Sequence, residues 1–94
     1  MKILWAPEAS ADFDAAVDYL AERNAEAAKR IALAVFDLVE LLAENPIDGP
    51  THLLRSGEIV RGWPLPPFRI YYQRSGDTLV VVRLYHQKRE PITR

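Results

Sequence analysis

Apolar and polar positions change rhythm once along this chain, near residue 50. Upstream, Ala9, Phe13, Ala16, Val17 and Leu20 recur at helical spacing, as do Ala28, Ile31, Val35, Leu38 and Leu42. This spacing predicts an amphipathic helix from Pro7 to about Arg23 and a second from Ala25 to about Glu44. Downstream, the runs Glu58–Trp63, Phe68–Arg74 and Thr78–His86 are rich in β-branched and aromatic residues. They are separated by Pro64-Leu65-Pro66-Pro67 and Ser75-Gly76-Asp77, which is how consecutive strands read. Alternation puts Phe68, Ile70 and Tyr72 on one face of the middle strand and Arg69, Tyr71 and Gln73 on the other. In the last strand it separates Val80, Val82 and Leu84 from Leu79, Val81, Arg83 and Tyr85. An antiparallel sheet with one buried face and one arginine-bearing face follows, its buried face covered by the two helices.

Punctuation supports the same outline. Lys2–Trp5 reads as a short strand able to pair with the C-terminal sheet, and Pro7 suits a first helical position behind Ala6, a weak cap. Asn24 can end one helix and cap the next with no Gly or Pro between them, which makes a helical hairpin. Asn45-Pro46-Ile47-Asp48-Gly49-Pro50 stops the second helix and opens a loop to Ser56-Gly57. Within it, Thr51–Arg55 fits a turn of helix or plain loop. After His86 a polar tail follows, in which Pro91 bars the strand from continuing. The apolar stripe of the second helix is too wide for one core-facing arc. Leu33 and Phe36 are surplus, either wedged between helix and sheet or offered to a partner. The fold class is α+β, one domain over residues 1–94: a short N-terminal strand, then a helical hairpin packed on a C-terminal antiparallel sheet of three to four strands.

Composition narrows the chemistry. The chain has no cysteine, so disulfides and thiolate metal sites are excluded. The apolar start is too short for a secretory or membrane segment, and the protein is read as cytoplasmic, with no membrane partner. The net charge of −1 conceals an asymmetry. Residues 1–54 carry 4 Lys/Arg against 10 Asp/Glu, while residues 55–94 carry 8 against 3. Near-neutrality argues against indiscriminate nucleic-acid binding, yet the basic half suits one acidic partner. Asp14, Asp18 and Glu22 form an acidic stripe read as a wet face. His52 and His86 have no carboxylates at ligand spacing, and no phosphate-cradling loop is present, so no metal or cofactor is expected. What remains is a sheet face bearing Arg61, Arg69, Arg83, Trp63, Tyr71, Tyr85 and His86, continued by Lys88 and Arg89. Guanidinium forks beside aromatic rings suit phosphates, bases or carboxylates.

Several stretches, in this order, resemble the RelE/ParE superfamily of bacterial toxins. They are Trp5-Ala6-Pro7, Asn24-Ala25-Glu26-Ala27-Ala28, Leu42-Ala43-Glu44-Asn45-Pro46, Arg61-Gly62-Trp63-Pro64, Pro67-Phe68-Arg69-Ile70-Tyr71-Tyr72, and the run from Val82 to Arg89. The resemblance spans nearly the whole chain. It implies the toxin of a two-component, plasmid-stabilising type of module, held in a hetero-oligomer by a ParD-like antitoxin and meeting operator DNA only through that antitoxin. ParE-like members are described as DNA gyrase inhibitors, and RelE-like members as ribosome-dependent mRNA endoribonucleases. The RelE-like set uses a strand lysine pair, two arginines and a C-terminal tyrosine. Here Arg69 and Arg89 match the arginines, the lysine positions fall near Val60 and Gly62, and the given sequence runs to Arg94 without that tyrosine. Arginine is a poor proton shuttle, so the resemblance implies a ParE-like toxin without catalysis of its own. Arg69, Arg83, His86, Lys88 and Arg89 are expected on the target, and Leu33, Phe36 and Trp63 on the antitoxin. The alternative is an endoribonuclease with Arg69 and Arg89 at the phosphate and His86 or Tyr85 carrying the proton.

Overall fold

Asn24 does two jobs at once. The computed structural model describes residues 1–45 and 47–87 together with the backbone of 92–93. In it, Pro7–Arg23 form helix α1, which starts behind Ala6 without a side-chain cap. The Asn24 backbone N–H donates to the Leu20 carbonyl at 2.7 Å, closing that helix. Its side-chain oxygen accepts from the Ala27 N–H at 3.1 Å, opening helix α2 (Ala25–Glu44). One extended residue thus satisfies both helix ends, and the hairpin needs no loop. On α2, Ala28, Val35, Leu38, Val39, Leu42 and Ala43 are buried. Leu33 is 56% exposed and Phe36 47%, so the surplus apolar strip lies at the surface, and the helix is not wedged on two sides.

The remaining elements form one mixed sheet. Strand β1 (Lys2–Trp5) runs parallel to β5 (Thr78–His86). Strands β2 (Thr51–Leu54), β3 (Ile59–Leu65) and β4 (Phe68–Ser75) complete an order of β1-β5-β4-β3-β2, and β6 (Ile92–Thr93) lies beside β2. The sheet is thus larger than three to four strands: Thr51–Leu54 form a strand, and backbone pairing resumes after Pro91 as β6. Strand β3 also runs through Pro64 instead of breaking there. The Gly62 N–H, two residues earlier, donates to Pro50 at 3.0 Å, so the ring of Pro64 faces away from β4, where β2 pairing has stopped at Thr51. A missing N–H costs nothing on that side.

The sheet buries both faces. Under the helices Phe68, Ile70, Tyr72, Leu79, Val81 and Leu84 join Ala9, Val35 and Leu42. On the opposite face Leu54, Val60, Tyr71 and Val82 form a second cluster, with Val80 and Tyr85 against it and no helix residue in it. The expected grouping of Val80, Val82 and Leu84 therefore fails. Tyr72 faces Val81 while Tyr71 faces Arg83, so Val82 is an extra residue in β5. This β-bulge shifts the side-chain phase by one, and Leu84 joins Leu79 and Val81 toward the helices.

Tyr72 also anchors the loop after α2. Its hydroxyl accepts from the Gly49 N–H at 3.0 Å and donates to Asp48 at 3.3 Å. Arg74 grips the same loop, donating to the Asp48 carboxylate at 2.8 Å and to the carbonyls of Asn45 and Ile47. Gly49 has to be glycine, because a Cβ there would run into the Gly62 carbonyl. Gly49→Ala should destabilise the fold by about 2–4 kcal/mol, read as a lower urea midpoint. The Arg74 hydrogen bond first, and its charge as well, hold the Asp48 carboxyl below its ordinary value of 3.8 despite the opposing effect of burial. Its stabilising contribution is complete above that value and is lost as pH falls through the lower folded value. Urea midpoints between pH 5 and 2.5 should therefore fall less steeply with acid in Asp48→Asn than in the unaltered chain.

Candidate functional site

Strand β5 outruns its neighbour. Trp5 pairs with Val81, the Ala6 N–H donates to the Val81 carbonyl at 2.9 Å, and at Pro7 the chain leaves the sheet for α1. From Val82 onward that edge of β5 has lost its strand partner, and α1 takes its place. Asp12 reaches across: its carboxylate accepts from the Leu84 N–H at 3.1 Å and from Arg83 Nε and Nη2 at 2.8 and 3.0 Å. This bidentate fork is a strong geometry. Arg83 also lies over the Tyr85 ring, 4.5 Å from its centroid. The hydrogen bond it donates to Asp12 raises the Arg83 pKa against burial. Burial raises that of the Tyr85 phenol, which stays neutral at physiological pH. Between α1 and this end of the sheet runs an open groove of about 850 Å³, lined among others by Asp12, Tyr19, Phe68, Tyr85 and His86.

On the helix-free face, Arg69 is half-buried opposite both Pro64 and Tyr85. Among the described residues it belongs to no ion pair. Beside it Tyr71 is buried between His52 and Tyr85, with ring centroids 5.5 and 5.7 Å away. Gly62 makes room for this stack, since a Cβ there would lie 2.8 Å from the His52 ring and 3.1 Å from Tyr71.

The single cationic face expected from alternation is therefore divided. Arg69, Tyr71 and Tyr85 share the helix-free face, and Arg83 is tied to Asp12 at its edge. His86 pairs with Phe68 and meets it edge-on at 5.6 Å, which puts it on the helix side. Arg61 is also on the helix side, opposite Tyr72, and donates to the Gly49 carbonyl. Trp63 packs half-buried against the main core, three strands in from β1, whereas Leu33 and Phe36 are on the outer side of α2. Lys88 and Arg89 lie outside the described residues. The sequence reading missed Asp12 and His52. Asp12 left a signal: it falls at the margin of the apolar arc of Ala9, Phe13 and Ala16, where a carboxylate must find a partner. His52 left none.

Comparison with known proteins agrees with this architecture. A family model described as the ParE toxin of the type II toxin–antitoxin system parDE matches residues 3–91. Toxin RelE2 of Caulobacter vibrioides is 31% identical over 88 residues, covering 94% of this chain and 97% of that protein. A solved structure of the chromosomal ParDE system from P. aeruginosa superposes with a TM-score of 0.66 at 22% identity, over 92% of this chain and 95% of the other.

Asp12→Ala should cost about 2–3 kcal/mol in urea unfolding, because it strands the Leu84 N–H and the Arg83 guanidinium together. Asp12→Asn keeps an acceptor for Leu84 and should cost less.

Proposed function

This chain belongs to the ParE toxin family of type II toxin–antitoxin systems, and we propose that it inhibits DNA gyrase by binding, without breaking a bond itself. A ParD-like antitoxin neutralises it in a hetero-oligomer, and operator DNA is reached only through that antitoxin. The observation that carries the non-catalytic reading is the position of His86, across the sheet from Arg69. A phosphate held at Arg69 would have the Tyr85 phenol nearby, with its pKa pushed up by burial; His86 is on the other face, and the imidazole on this one, His52, stacks on the far strand side of Tyr71. Cleavage at a 2′-hydroxyl needs a proton acceptor and a proton donor matched to neutral pH. A neutral phenol and a guanidinium supply charge and hydrogen bonds but shuttle protons poorly.

Arg69 is the principal target contact in this reading, with Arg83, Lys88 and Arg89 as further contacts. His86 contributes from the groove side. Leu33 and Phe36 are the antitoxin's apolar anchor on α2. Trp63 serves as a second, separate contact on β3.

The name of the Caulobacter relative favours one other reading, a RelE-like endoribonuclease using Arg69 and Arg89 at the phosphate and Tyr85 as proton carrier. In a supercoiling assay, excess purified toxin should inhibit gyrase, and Arg69→Ala should raise the concentration required about tenfold, as expected for a lost charge-assisted contact. Undisturbed gyrase together with A-site cuts in primer extension of translated message would replace the first reading with the second. Phe36→Glu should weaken antitoxin binding while leaving gyrase inhibition intact.

A further inference from the structure

The outer surface of α2 carries a charge pattern that matches itself in reverse. Leu33 and Phe36 form its apolar centre, 56% and 47% exposed. Phe36 is held by a tilted ring contact to Phe13 and an edge-on one to Trp5, with centroids 5.3 and 6.1 Å away, so it is a braced knob. On the N-terminal side stand Lys29 and Arg30, and on the C-terminal side Asp37 and Glu40, all exposed. Among the described residues none of these four is in an ion pair; those found are Asp48–Arg74 and Asp12–Arg83. Four uncompensated charges therefore flank an exposed apolar pair.

Helical geometry places them. At a rise of about 1.5 Å per residue, Lys29 and Glu40 each lie about 8 Å from the midpoint of Leu33 and Phe36, on opposite sides. At roughly 100° per residue, Lys29 and Glu40 fall within about 10° of the line through the apolar centre, and Arg30 and Asp37 lie together about 70–90° to one side of it. A two-fold axis through that midpoint, perpendicular to the plane of two antiparallel α2 helices, keeps each flank facing its own copy. Lys29 then meets Glu40 of the second copy at the same level. Arg30 reaches Asp37 of the second copy along the flank they share, and Leu33 packs on Phe36. Antiparallel pairing also opposes the helix dipoles favourably.

We infer that, free of antitoxin, this protein associates with a second copy of itself through α2, as a two-fold antiparallel dimer. An isologous contact uses one patch twice, and a self-complementary patch is what it requires. The contact is small: α2 is 20 residues, so the interface falls at the low end of specific association and the dimer is weak, with Kd in the micromolar range. The inference does not rest on the proposed target. It does mean that a second copy and an antitoxin anchored at Leu33 and Phe36 exclude one another.

The test is sedimentation equilibrium of the purified full chain, with circular dichroism confirming that each variant is folded. The unaltered chain should dimerise, more weakly at high salt. K29E/R30E and D37K/E40K should each raise Kd at least about tenfold, and an equimolar mixture of the two should restore dimerisation, because all four cross-pairs are again opposite in sign. D14K, an exposed charge reversal on α1, should leave Kd unchanged. A chain that stays monomeric to about 0.5 mM, well above the micromolar range of weak interfaces, overturns the inference. So does a dimer indifferent to both reversals, or a mixture that fails to reassociate.

Discussion

An amide at the edge of a sheet must find an acceptor, and much of this molecule follows from how one strand meets that demand. Strand β1 is four residues long and β5 is nine, so the parallel pairing that starts the sheet runs out at Val81. Proline at position 7 turns the chain into a helix at that point. The helix then lies along the vacated edge and supplies Asp12 in place of the missing strand. The Val82 bulge belongs to the same solution. It brings the Leu84 N–H and the Arg83 guanidinium to a single carboxylate, and it resets the side-chain phase so that Leu84 closes the core. A bidentate, partly buried pair of this kind is costly to break from either side.

That arrangement also decides what the helix-free face can offer. With Arg83 committed to Asp12 and His86 turned to the groove, the face is left with Arg69 beside a stack of Tyr71, Tyr85 and His52 on a floor of aliphatic side chains. Such a surface is amphipathic: apolar at its centre and cationic at its margin. Binding interfaces are built on this plan, with buried aromatic anchors and charges that steer and orient. The helix side is specialised differently. There Tyr72, Arg74 and Arg61 hold the loop after α2 against the sheet, so these polar groups serve the fold.

Most of the secondary structure was legible because its signals are local. Both helices end where their apolar period and capping residues placed them, and Asn24 performs both of its expected functions. The strand assignments that failed did so for non-local reasons. Thr51–Leu54 has no alternation of its own strong enough to mark a strand, and it becomes one because β3 offers an edge. Pro64 looked like a break, but the side from which its N–H is missing faces no partner. The face assignment in β5 failed beyond Val82, since a bulge is a property of two strands and leaves no mark on the one that carries it. The single cationic face divided for the same kind of reason: strand pairing puts Arg61 beside Tyr72 and His86 beside Phe68 on the helix side, while Arg69 and Tyr85 pair on the other.

The amino-acid sequence by itself determined the helical hairpin, the strand-rich C-terminal half, the charge asymmetry and the kinship to ParE toxins, because all of these reside in composition, short-range periodicity and residue order. Only the tertiary structure decided which arginines share a surface, that Asp12 caps the open edge of β5, and that Leu33 and Phe36 face outward. Those outcomes depend on strand register and on which backbone groups lack a partner. Both are set by contacts between residues as much as 76 positions apart in the chain.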